Sequence, residues 1–315
     1  MTRSELEKLY EKPWLWAFLG AIGVWFATIV FTGGQGAGEI LSAALSFGTF
    51  TVIVGIGQMY VITLGPGNVD LSIPATMTLA GVVAMKIVDS QNSMILAGLI
   101  IALACGSAVG VFNYGLIRLL RIPPIIATLS SSFLIQSSAI AYGRGLKIKP
   151  PSLLAEFSTA KVLGVPILAI CVMLLAAVMS IVLHRTVYGK SVLAIGQNPR
   201  AARLAGVRVD FVRFSTYVLS AVLAGLCGYV LSGFSGGASL NMGAEYLLAS
   251  IAVVVIGGTS VAGGYSNIPG LWGASLFMFL LVTMLNTFGL SAGVRLILTG
   301  AIIVGVIVLA GGRKT

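Results

Sequence analysis

The residue best placed to do chemistry is a carboxylate inside an apolar stretch. Asp70 lies in residues 64–74 (LGPGNVDLSIP), where Gly65, Pro66 and Gly67 prevent a continuous helix. A carboxylate in a bilayer costs roughly 2.5–3.5 kcal/mol on insertion scales, so it normally faces a cavity or a partner. Two interpretations stay open. One is a broken helix near residues 65–74 that lines or gates a polar pathway, and the other is a helix N-cap in a loop at the membrane surface.

A second candidate is the polar stretch 184–213, which holds six of the nineteen lysines and arginines. In it, Asn198 can cap a short helix, Pro199 fits the first helical position, and Gly206 supplies a left-handed C-terminal stop. A helix of about two turns is not stable alone in water, so it needs a surface to pack against. The residues that such a surface would meet are Ala201, Ala202, Leu204 and Ala205, with Arg200 and Arg203 free to pair with acidic groups. We interpret the segment as a docking site for a cytoplasmic partner; a helix lying on lipid headgroups is the alternative.

Other chemistry has little support in this composition. Cys105, Cys171 and Cys227 stand in different apolar runs without metal-ligand spacing, and His184 is the only histidine. Gly189-Lys190-Ser191 is similar to the end of a phosphate-binding loop, but that motif requires a glycine where this chain has His184. Without a cluster of carboxylates or a nucleophile beside a base, an intramembrane enzyme is not expected. No metal site and no cofactor are expected in this chain.

The elements that must position these residues are membrane helices. The chain of 315 residues is 57% hydrophobic and 9% charged, which predicts an all-α polytopic membrane protein in a single domain, 1–315. A crossing needs about 20 apolar residues. About ten runs qualify, at 14–32, 40–64, 72–88, 93–117, 123–142, 163–183, 214–232, 246–262, 267–288 and 293–310. In the fourth run, Gly106 and Gly110 can bring two helix backbones together.

The basic residues predict the orientation. With the N-terminal segment 1–13 in the cytoplasm, thirteen of the nineteen lysines and arginines fall on the inner face, which fits both termini and loop 184–213 inside. The net charge of +10 is then mostly a consequence of topology. A nucleic-acid partner is therefore not expected.

Four stretches together resemble the permease subunit of ribose-type ABC importers of bacteria. They are residues 68–72 (NVDLS), residues 113–116 with 122–129 (NYGL, IPPIIATL), the loop segments at 186–190, 194–198 and 201–206, and the glycine-rich residues 251–264 (IAVVVIGGTSVAGG). Their order along the chain matches the family from about residue 60 onwards.

The resemblance implies a multi-pass protein of the bacterial cytoplasmic (inner) membrane that imports a monosaccharide or similar small polar solute. ATP and magnesium would be bound by a separate ABC ATPase, a periplasmic binding protein would deliver the substrate, and a second permease chain would share the pathway. The coupling helix would comprise Asn198, Pro199, Arg200, Ala201, Ala202, Arg203, Leu204 and Gly206. The glycine-rich turn would comprise Gly257, Gly258, Thr259, Ser260, Gly263 and Gly264.

The remaining site residues are interpreted from their chemistry. Polar positions expected at the pathway, or in the network that supports it, are Asn68, Asp70, Ser72, Asn113, Thr128 and Asn286. Basic residues expected to dock the binding protein are Arg144, Lys147 and Lys149.

The chain departs from the family pattern at two places. Leu247 and Ala249 replace acidic residues, with Glu245 two positions earlier, and residues 285–291 are about one helical turn short. These departures put the substrate class in doubt more than the fold. A secondary transporter driven by protons or sodium, with Asp70 as its coupling site, is the alternative function.

Overall fold

The computed structural model describes residues 13–145 and 149–311, and nearly all of the regular structure in them is helical. The helices are α1 (Pro13–Phe31), α2 (Ala37–Thr63), α3 (Ile73–Val88), α4 (Ile95–Leu119), α5 (Pro124–Gly143), α6 (Ser152–Thr159), α7 (Ile167–Arg185), α8 (Val187–Gln197), α9 (Pro199–Leu204), α10 (Val209–Phe234), α11 (Tyr246–Ile256), α12 (Ile268–Thr287) and α13 (Ala292–Gly311), with a 3-10 turn at Asn92–Met94.

The predicted all-α membrane architecture is confirmed. Among the described residues, seven helices are long and apolar enough to cross a membrane, and α3 and α11 are shorter apolar helices. Each of the ten apolar runs coincides with one helix, although the run at 246–262 is too long, because α11 ends at Ile256. The number of crossings and the orientation of the termini stay predictions. Residues 1–12 and 312–315, which carry five of the basic residues expected inside, lie outside the described part.

Helix α10 forms the centre of the bundle and packs against α4, α3 and α2. The contact with α4 is close because glycines face it: a methyl group at Gly110 would lie 2.5 Å from the Cα of Val218, and one at Gly225 would lie 2.5 Å from the carbonyl oxygen of Ala102. The prediction that Gly106 and Gly110 allow two backbones to approach is therefore confirmed. Helix α5 packs mainly against α3 and leaves one side exposed.

The connection after α5 contains regular structure. Pro151 precedes α6, and a two-residue hairpin follows in which Lys161–Val162 pairs antiparallel with Val165–Pro166. Leu163 and Gly164 form its turn with φ of 50° and 81°, the left-handed pair that suits a tight hairpin. The sequence argument missed α6 because eight residues are too few to show a clear period.

Candidate functional site

The carboxylate of Asp70 is buried inside the bundle, with 1% of its surface exposed. One carboxylate oxygen accepts hydrogen bonds from the backbone amide of Ser72 at 3.0 Å and from its hydroxyl at 2.6 Å. The other accepts from the hydroxyl of Ser220 at 2.8 Å. Within the described residues these partners are hydroxyls and an amide rather than a cation. Three donors offset much of the cost of burying the carboxylate.

A second layer of polar side chains fixes this arrangement. The amide nitrogen of Asn113 on α4 donates to the Ser72 hydroxyl at 2.7 Å, and the Ser131 hydroxyl on α5 donates to the Asn113 carbonyl oxygen. The Thr128 hydroxyl oxygen accepts from the backbone amide of Leu71 at 3.1 Å. Helices α4 and α5 are thereby tied to the chain break between α2 and α3.

The break itself is held from the α2 and α10 sides. The Gln58 side-chain oxygen accepts from the backbone amide of Asp70 at 3.2 Å, and the Tyr217 hydroxyl donates to the Asn68 side-chain oxygen at 3.2 Å. Asn68 in turn donates to the carbonyl oxygen of Gly65 at 3.0 Å. These bonds satisfy backbone groups that the interrupted helix would leave unpaired in hydrocarbon.

The structure thus joins five of the six residues expected at the pathway, Asn68, Asp70, Ser72, Asn113 and Thr128, into one buried network. It places Asn286 apart from them, exposed near the end of α12. Asp70 accepts a hydrogen bond from the amide of Ser72, the residue that precedes α3, and it lies inside the bundle rather than at its surface. That these residues contact a substrate stays a prediction.

Sequence reasoning missed four members of this network: Gln58, Ser131, Tyr217 and Ser220. Each stands in a continuous, mostly apolar helix, and a polar residue there is a signal that a partner exists. The signal does not identify the partner, because Ser220 and Asp70 are 150 positions apart.

The predicted helix at 198–206 is confirmed in its local geometry. The side-chain oxygen of Asn198 accepts from the backbone amides of Arg200 and Ala201 at 3.0 and 3.1 Å, and Pro199 occupies the first turn of α9. Gly206 has a φ of 87°, and the amide of Val207 donates to the carbonyl of Ala202 at 3.0 Å, which completes a Schellman stop. Among the residues of this helix that were expected to meet a surface, Ala202 is buried against the protein, whereas Leu204 is 91% exposed.

Helix α8 connects α9 to the bundle. Thr186 caps its start, since the Thr186 hydroxyl oxygen accepts from the amide of Gly189 at 3.1 Å. Gly189-Lys190-Ser191 therefore lies in a helix that follows α7 rather than a strand. The Tyr188 hydroxyl lies 2.9 Å from that of Thr216 on α10, and burial raises the pKa of Tyr188, which keeps it a neutral hydrogen-bonding group.

Three segments meet at a junction of glycines near the last turn of α8. The amide of Gly264 donates to the carbonyl oxygen of Thr63 at 3.0 Å, which joins the glycine-rich turn to the end of α2. A methyl group at Gly196 would overlap both of these groups. One at Gly263 would lie 2.6 Å from the amide nitrogen of Gly65. We call Thr63, Gly65, Gly196, Gly263 and Gly264 the glycine junction.

The glycine-rich turn between α11 and α12 has its own internal bonds. Asn267 donates from its backbone amide to the Thr259 hydroxyl at 3.3 Å and from its side chain to the carbonyl of Gly257 at 3.1 Å. Ser260 donates from its amide to the carbonyl of Tyr265 at 3.1 Å. Gly258, with a φ of 89°, adopts a backbone conformation that other residues rarely take.

The residues expected to dock a binding protein are only partly described. Arg144 is exposed just after α5, the carbonyl of Lys149 accepts from the Ser90 hydroxyl at 2.7 Å, and Lys147 lies outside the described residues. Glu245 is exposed at the start of α11. Their role stays a prediction.

Helix α5 presents an exposed face that the sequence argument did not single out. Ser130 and Ser137 are exposed at positions seven apart, with Phe133 between them at 66% exposed. Neither serine hydroxyl has a hydrogen-bond partner among the described residues. Seven residues correspond to about two helical turns, so both hydroxyls lie on the same side of α5, roughly 10 Å apart.

Residues 39–307 match the family described as branched-chain amino acid transport system / permease component. The autoinducer 2 import system permease protein LsrC of Enterobacter sp. (strain 638) is 31% identical over 277 residues, covering 85% of this chain and 80% of the relative.

Two further relatives extend the comparison. The ribose import permease protein RbsC of Escherichia coli (strain K12) is 31% identical, covering 83% of this chain and 82% of the relative. The fructose import permease protein FrcC of Rhizobium meliloti is also 31% identical, with coverage of 80% and 72%. No solved structure matches the chain significantly.

Proposed function

The chain belongs to the family of branched-chain amino acid transport system permease components, a family of multi-pass inner-membrane proteins, and from this we propose that it is the membrane subunit of an ATP-driven importer. The solute is a monosaccharide or a similar small polyhydroxylated molecule, as the names of the ribose and fructose relatives suggest. A separate ATPase binds ATP and magnesium, a periplasmic protein delivers the solute, and a second permease chain completes the pathway.

The observation that carries this proposal is the capped helix α9 and the way it is attached. Its exposed surface includes Leu204, Arg200 and Arg203, an apolar anchor beside two cations that suits a groove with acidic residues. Asn198 and Gly206 cap the two ends of the helix and keep it rigid enough to transmit a movement of the ATPase to the bundle.

The route from α9 into the bundle runs through the glycine junction. Movement of α9 carries α8 with it, because only Asn198 separates the two helices. Gly196 near the end of α8 then pushes against two residues. They are Thr63 at the end of α2, where the chain break begins, and Gly264 in the glycine-rich turn. Closure of the ATPase pair would in this way shift two interrupted segments of the membrane domain together.

The pathway itself is best supported along the exposed face of α5. Unpaired hydroxyls are costly against hydrocarbon, whereas a hydrated pathway or a sugar supplies their hydrogen bonds. Phe133 offers an aromatic surface between Ser130 and Ser137. The network around Asp70 lies behind this face, since Thr128 and Ser131 are on the buried side of α5, and it acts as the support that holds α5 in place.

The test is purification of the chain with its ATPase and binding protein, followed by reconstitution and measurement of solute uptake and ATP hydrolysis. Leu204→Asp places a charge at an exposed site of α9 and should release the ATPase while the chain still folds. Leu163→Asp, at a fully exposed residue of the hairpin near the opposite end of α7, is the matched control.

Loss of the ATPase in Leu204→Asp alone would support the proposal. A chain that transports without any ATPase under a proton or sodium gradient would contradict it. Such a result would favour the secondary transporter, with Asp70 as the coupling site.

A further inference from the structure

A cavity of about 420 Å³ lies between the ends of α4, α5 and α10, at the end of the bundle that carries α9. The charged residues that line it are Arg118, Arg121, Arg213 and Asp210, and Tyr114 lines it as well. Three guanidinium groups against one carboxylate leave an excess of two positive charges. We propose that this cavity binds the phosphate group of an anionic phospholipid.

The existing contacts leave these arginines available to a ligand. Arg118 and Asp210 are 3.5 Å apart, with side chains 56% and 49% exposed, so their ion pair is long and open to solvent. The Nε of Arg213 is buried and has no hydrogen-bond partner among the described residues. A buried donor without an acceptor is unfavourable, and a rotation of the Arg213 side chain toward the cavity, which that residue lines, would bring the Nε to a phosphate oxygen.

The backbone adds positive potential at the same place. Helix α5 begins at Pro124, which lines the cavity, and α10 begins at Val209, next to Asp210. Neither N-cap residue, Pro123 or Arg208, supplies a side-chain cap. The positive ends of two long helix dipoles thus lie at the cavity and favour an anion there.

The surroundings favour a lipid over a free ion as the source of the phosphate. Leu119 and Leu120, between Arg118 and Arg121, are 80% and 63% exposed, and Ile126 on the first turn of α5 is 55% exposed. These side chains offer acyl chains an apolar contact directly beside the guanidinium groups. Basic cavities between membrane helices bind anionic headgroups in this way.

The proposal is tested on the purified full-length chain by native mass spectrometry with phosphatidylglycerol and phosphatidylcholine. Arg121→Gln combined with Arg213→Gln should weaken phosphatidylglycerol binding at least about tenfold, since each removes a charge-assisted hydrogen bond. Arg185→Gln, at an exposed arginine on the same end of the bundle, is the matched control and should bind as the unmodified chain does. Arg121→Gln alone, at an exposed side chain, serves if the double variant does not fold.

Each outcome has a defined meaning. Selective binding of phosphatidylglycerol that the arginine variants lose supports a lipid headgroup. Displacement of the lipid by millimolar inorganic phosphate, with equal weak binding of phosphatidylcholine, would overturn the lipid source and assign a free anion. Unchanged lipid binding in the variants would overturn the site.

Discussion

The backbone amide of Gly264 donates a 3.0 Å hydrogen bond to the carbonyl oxygen of Thr63, across 201 positions of sequence. The bond joins the glycine-rich turn after α11 to the end of α2, where the chain break begins. Gly196 of α8 lies against both groups, so α8 meets the end of α2 and the glycine-rich turn at one point. This geometry gives the importer hypothesis a specific mechanical element.

Gly196→Ala should push apart the segments that meet at the glycine junction, because the methyl group has no space beside Thr63 and Gly264. Overpacking of this kind costs about 1–3 kcal/mol of the free energy of unfolding. We expect ATP hydrolysis by the reconstituted complex to continue while solute uptake falls. Gly115→Ala on α4, where an added methyl group meets nothing within 4 Å, should leave both rates unchanged. Normal uptake by Gly196→Ala would mean that the junction is not the route of coupling.

Gly206→Val should disturb the end of α9, because its φ of 87° is disfavoured for a β-branched residue. The left-handed conformation costs about 1–2 kcal/mol in a residue with a Cβ. Asparagine tolerates this conformation better, so Gly206→Asn is the matched variant. We expect Val to uncouple ATP hydrolysis from uptake and Asn to preserve most of the coupling. Equal uptake by the two variants would argue against a coupling role for this stop.

Removing one partner of the buried carboxylate should destabilise the bundle. Ser220→Ala leaves one oxygen of Asp70 without its donor and should lower the free energy of unfolding by about 1–3 kcal/mol. Asp70→Asn replaces one accepting oxygen by an NH2 group, which is itself a donor and faces other donors. It should lower the free energy of unfolding by a similar amount. Because the two groups share one hydrogen bond, the double variant should be less destabilised than the sum of the single variants. Thermal unfolding in detergent measures this, with Ser138→Ala at an exposed serine of α5 as the control.

A cysteine scan tests the exposed face of α5. In a chain whose Cys105, Cys171 and Cys227 are replaced by serine or alanine, Ser130→Cys and Ser137→Cys should react with a polar thiol reagent. The transported sugar should slow both reactions, because it would occupy the same space. Leu174→Cys on α7, exposed at 64%, is expected to face lipid and should not react. Equal reactivity at all three positions, without protection by sugar, would remove α5 from the pathway.

Local signals in the sequence determined the helices, the break and the caps. Gly65, Pro66 and Gly67 interrupt a helix wherever they occur, because the interruption arises from their own backbone geometry. Asn198, Pro199 and Gly206 act on amides and carbonyls a few positions away. For that reason the short helix α9 could be predicted together with both of its ends.

Tertiary structure alone decided which polar residues meet. In a membrane bundle every helix face is apolar, so hydrophobic periodicity does not identify the side that packs inward. Nothing near Asp70 in sequence indicates Ser220, and nothing near Arg121 indicates Arg213. Helix packing brings such groups together, as where Gly57 of α2 approaches Ser220 and where Gly106 and Gly110 of α4 approach α10. Packing sets these distances, and local backbone preferences do not.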